Sequence, residues 1–161
     1  MTPTAENSVG WLRASLERET ELLQNFLQQL TDERVLLEQS DREALPELLA
    51  QKSTSIENLA ALHRDRRETF VRLHPEWSTD QAEQGIAQQC ASGELANSWQ
   101  GRGELLRACD RANQINGRLV QAGRDRLQRL LQLLLGPEHA NTYSAEGVRA
   151  QRSGHRTLGT A

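Results

Sequence analysis

Aromatic residues make up only 4% of this 161-residue chain, and isoleucine and valine together number 8. Strands are built from β-branched and aromatic side chains, so a sheet-based fold is not expected. Cysteine occurs twice, at Cys90 and Cys109, with no CxxC pairing. That is too few for a disulfide scaffold and lacks the spacing of a zinc or redox site, so both read as reduced thiols. With 11 glycines and 4 prolines, a collagen-like chain is excluded. No apolar run approaches the ~18–20 residues a bilayer crossing needs. Residues 1–10 lack the basic stretch followed by an apolar one that marks a secretory signal, and a cytoplasmic location is the expectation. Lysine occurs once, at Lys52, against 18 arginines, and no function is read from that ratio.

What is abundant is leucine, 25 residues, and glutamine, 15. Together with Glu, Arg and Ala these tolerate helix well, and the length fits one domain. Residues 1–50 carry 4 basic and 10 acidic side chains, residues 51–123 carry 9 of each, and residues 124–161 carry 6 and 3. A gradient of this size can orient a partner or draw two ends together. It is far too weak for a nucleic-acid footprint.

The helical period begins near Trp11. A line at 3/4 spacing runs Leu16, Glu19, Leu23, Phe26, Leu30, Glu33, Leu37, and predicts a helix over 12–38. Residues 1–10 read as a flexible lead-in. After a break at Gln39-Ser40-Asp41 a second helix is expected over 42–73, with Pro46 forcing either a later start or an irregular first turn. The short connection makes the pair an antiparallel hairpin. His74-Pro75 ends it, and Ser78 with Gln81 forms a capping box for a short helix over 79–91, weakened by Gly85. A long helix follows over 95–135. Its first apolar seam, Leu105, Ala108, Ala112, Ile115, Leu119, Ala122, changes phase after Leu119 towards Leu127, Leu130, Leu134. Gly117 and Gly123 flank the change, each costing about 1 kcal/mol relative to Ala. Gly136-Pro137 stops the helix, and residues 138–161 read as a flexible tail. The expected architecture is all-α: a long antiparallel hairpin plus a long C-terminal helix in an elongated bundle or coiled coil.

Signals for catalysis are poor. His63, His74, His139 and His155 have no Glu or second His at metal-ligand spacing, and there is no HExxH, Walker loop or nucleophile elbow. Gly101-Arg102-Gly103 is a fragment of a phosphate loop without a preceding strand. Glu17, Glu19 and Glu21 read as a solvated face, as do Arg64, Arg66 and Arg67 with Asp65 and Glu68 interleaved. Neither an enzyme, a metal nor a cofactor is expected.

The concentrated feature is the leucine run 127–135. Leu127, Leu130, Leu131 and Leu134 fall within roughly a 100° arc, enough for one bundle contact. Leu133 and Leu135 widen it to roughly 200°. Two readings fit: deep burial by the hairpin or by a second copy of the chain, or a surplus face that receives a partner helix. Asn113 and Asn116 likewise have two readings. They are polar seam positions that set register, or, with Gly117 and Gly123, a break that lets the C-terminal segment move.

Taken in order, Leu22-Leu23, Leu36-Leu37-Glu38, Asp41-x-x-Ala44-Leu45-Pro46-x-Leu48 and Lys52 in the hairpin are followed by Asn113-x-x-Asn116-Gly117-x-Leu119-Val120. Then come the leucine run ending at Gly136 and Tyr143-x-x-x-Gly147. Over about residues 12–150 this order and spacing resembles the FlgN family of flagellar type III export chaperones. The resemblance implies a cytosolic helical protein without catalysis. Such a protein binds hook–filament junction (hook-associated) proteins, prevents their premature assembly and delivers them to the flagellar export apparatus. It implies partner binding at Leu127, Leu130, Leu131, Leu133, Leu134 and Leu135, and export-gate docking at Tyr143. Asn116, Gly117 and Gly123 are the hinge candidates. A homodimer is left open. The alternative is a structural coiled-coil adaptor that self-assembles through its leucine-rich helix. Residues 151–161 depart from the family pattern and are assigned no role.

Overall fold

A computed structural model describes residues 8–135 apart from Arg42 and the Leu135 side chain. The described residues form four α-helices and no strand: α1 (Ser8–Gln39), α2 (Leu45–Leu73), α3 (Thr79–Ala91) and α4 (Ala96–Leu135), with a 3₁₀ turn at Gly93–Leu95 before α4. The expected all-α bundle is what forms. The expected tail, 138–161, and the Gly136-Pro137 stop lie outside the described residues.

Two boundaries differ from expectation. α1 starts inside the supposed lead-in, because Val9 and Trp11 pack against the core and give Ser8–Gly10 a reason to be helical. α2 starts at Leu45 rather than 42. Pro46 sits in its first turn, where its missing N–H needs no partner. The connection is made by local chemistry. Ser40 adopts φ 59°, its N–H bonds Leu37 O, and the Asp41 N–H bonds Leu36 O. That is a Schellman closure with serine in the left-handed position usually held by glycine. The Asp41 carboxylate then accepts from the N–H groups of Glu43 and Ala44. At the far end of α2 the Ser78–Gln81 capping box forms in both directions and opens α3.

Cross-helix bonds give the directions. Glu19 meets Arg66, and Glu33 meets Lys52, so α1 and α2 run antiparallel. Glu19 also meets Arg102, Leu23 meets Cys109, and Leu30 meets Asn116, so the first part of α4 runs parallel to α1. Two apolar clusters fill the space. One joins Leu12, Leu16, Phe70, Ala82, Ile86 and Leu95, with α3 laid against α1 and α2. The other joins Leu23, Leu30 and Cys109, with Leu59, Leu105 and Ala112 around them. Cys90 and Cys109 are free and buried, and burial pushes both thiols up, as befits unreactive packing residues.

The chain divides into two compact units between Leu119 and Val120. The hairpin, α3 and the start of α4 belong to the first. The described part of the second is the remainder of α4, through Leu135.

Candidate functional site: an uncovered leucine face on α4

Helical periodicity places Leu127, Leu130 and Leu134 along one side of α4, and these three and Leu133 are open to solvent. Leu127 is 56% exposed, Leu130 49%, Leu133 82% and Leu134 79%. Leu131 is half-buried, and Leu135 is the last described residue of α4. Large apolar side chains grouped in this way cost free energy in water unless something covers them. Around them are polar positions: Arg124, Arg126 and Arg129 are exposed, and the Asp125 carboxylate accepts a 2.8 Å hydrogen bond from Gln121. The surface therefore pairs an apolar stripe with a net positive surround. It can hold an amphipathic helix by burial and bias its orientation by charge.

The hinge candidates fall in different settings. Asn116 is buried. Its amide donates to Leu30 O at 2.8 Å and to the Glu33 carboxylate at 2.6 Å. Glu33 also accepts from Lys52, so one carboxylate ties α1, α2 and α4 together. Asn116 thus sits as a polar seam position. α4 is helical through Gly117 and Gly123, and an added Cβ at either would meet nothing within 4 Å. Packing does not require these glycines; their effect is to lower local helix stability. Tyr143 lies outside the described residues.

Two other readings are corrected. Glu19 is not on a solvated face: it is 0% exposed, on the seam line of α1. Arg66 is 3% exposed and donates to Glu19. Arg102, in the Gly101-Arg102-Gly103 fragment, is helical; its Nε lies 2.7 Å from Glu19 Oε1, and the His63 Nε2 reaches the same oxygen at 2.7 Å. Burial pushes the Glu19 carboxyl up. The adjacent His63 and the charges of Arg66 and Arg102 outweigh it and hold the carboxyl at about 2. The signal was present in the sequence, since Glu19 and Glu33 are the two acidic interruptions of an apolar line. Their partners, 47 and 19 residues away, are not marked by any local pattern. Among the described residues, no group of three or more His, Cys, Asp or Glu side chains gathers in a way that could hold a metal ion. No described helix is long and apolar enough to cross a membrane.

Comparison with protein families matches residues 8–151 to the family described as FlgN protein. The chain belongs to the FlgN family. Membership makes it a flagellar export chaperone in general terms. No curated protein and no solved structure matches the chain.

Proposed function

We propose that this FlgN-family chain acts in the cytoplasm on hook–filament junction proteins. It would cover a helical segment of each with the α4 leucine face, prevent premature assembly and deliver the subunit to the type III export gate. The observation that supports this reading most is the exposure of Leu127, Leu130, Leu133 and Leu134 on one helix. A chaperone must release its client without chemistry, so binding has to be moderate. Gly117 and Gly123 soften α4 ahead of the leucines, and ordering that stretch on binding costs entropy that limits affinity. Tyr143 is the residue proposed to contact the gate.

The test is co-purification of a junction protein with the Leu130→Asp/Leu134→Asp variant. Both positions are exposed, so helix content by circular dichroism should stay near wild type while the client is lost. Retention of the client by a folded variant would place the site elsewhere. The same exposed leucines fit the adaptor reading. Sedimentation separates the two: a stable oligomer of the pure protein that the double variant dissolves, with no client bound by either form, supports self-assembly instead.

A further inference from the structure

Three helices of the first unit surround a half-open cleft of about 220 Å³. His63, Arg66 and Arg67 come from α2, Glu83 from α3, and Trp99 and Arg102 from α4. Arg66, Arg67 and Arg102 face two carboxylates, Glu19 and Glu83. Glu19 remains ionised down to about pH 2, so at neutral pH one positive charge is in surplus before His63 is counted.

The donors are also in surplus. A guanidinium carries five N–H groups. Arg66 gives one hydrogen bond, to Glu19. Arg67 reaches Glu83 only at 3.4 Å, with both side chains exposed. Arg102 lies 4.6 Å over the Trp99 ring. Its Nε is buried close to Glu19 Oε1, yet neither atom makes a directed hydrogen bond. Arg66, itself 3% exposed, lines the cleft.

We propose that this cleft binds an oxyanion, a carboxylate or a phosphate group, between Arg66, Arg67 and Arg102 with Trp99 as its wall. The planar guanidinium fork matches either group with paired N–H donors. Glu19 holds Arg66 and Arg102 in place before the anion arrives, which lowers the ordering cost of binding. Glu83 plays the opposite part: it sits beside Arg67 and competes for it.

The full-length protein is titrated with inorganic phosphate, with N-acetylglutamate amide as a side-chain carboxylate, and with sodium chloride at matched ionic strength. The indole N–H resonances of the three tryptophans are followed, with Trp99 identified through Trp99→Phe. Saturable movement of the Trp99 signal with phosphate or the glutamate analogue, and not with chloride, is expected. The anion that saturates at lower concentration identifies the source. Arg67→Gln should weaken binding roughly tenfold, as loss of one partly screened charge predicts, and Glu83→Gln should strengthen it. Glu83 is exposed, Arg67 is partly exposed, and neither belongs to an apolar cluster, so the fold is retained. Movement that only follows ionic strength, or saturation indifferent to both variants, overturns the proposal.

Discussion

Arg66, Arg102 and His63 converge on the Glu19 carboxylate, and two opposing effects set its proton affinity. Dry surroundings favour the neutral acid, while the neighbouring cations favour the anion and prevail, leaving the group at about 2 against an ordinary 4.5. A depressed folded-state value means that ionised Glu19 stabilises the fold fully above pH 4.5, and that this contribution is lost as pH falls towards 2. It amounts to roughly 3 kcal/mol. Urea unfolding of wild type and Glu19→Gln as a function of pH should show it. The variant is expected to be about 3 kcal/mol less stable at neutral pH, because two buried guanidiniums lose their counter-ion, and the gap should close on acidification through that window. Glu19 was legible as an anomaly, an acid on an apolar line. Its burial was not, because a solvated glutamate at the edge of a helix face has the same local sequence.

At the scale of elements, helix identities and most ends follow from periodicity and caps. α3 shows where that reading stops. Gly85 looks like a weakness in a short helix, yet an added Cβ there would lie against the Trp77 ring, 2.7 Å from Cη2. Trp77 is in turn stacked on His74, with ring centroids 3.8 Å apart and planes 11° from parallel. The glycine makes room for an indole that packs against the first core cluster. Gly85→Ala should therefore destabilise the protein by about 2 kcal/mol through overpacking, despite the gain in helix propensity of about 1 kcal/mol. Thermal unfolding measures the net effect, and an increase in melting temperature would show the ring to be freely displaced. Asn116 makes a related point. Its spacing allowed either a hinge or a register lock. The choice depends on Leu30 O and Glu33, which only the packing of α4 on α1 brings within reach.

At the scale of the molecule, the two proposed contacts of the chaperone are separable. Leu127, Leu130, Leu133 and Leu134 face solvent on α4, and Tyr143 comes eight residues after Leu135 in the sequence. Tyr143→Ala is accordingly expected to leave co-purification of a junction protein unchanged while weakening binding to the isolated export-gate component about tenfold, the scale of one lost aromatic contact. Surface-immobilised gate protein gives the comparison, and equal affinity would remove Tyr143 from the gate contact. The sequence by itself determined the all-α class, the antiparallel hairpin, the capping box and the concentration of leucines at 127–135. These are consequences of 3.6-residue periodicity and of near-neighbour hydrogen bonding. Tertiary structure decided which polar residues are buried, why Gly85 is a glycine, that three arginines share one cleft, and that the leucines at 127, 130, 133 and 134 are uncovered. Those properties depend on which residues from distant parts of the chain come within a few ångströms, and no local pattern records that.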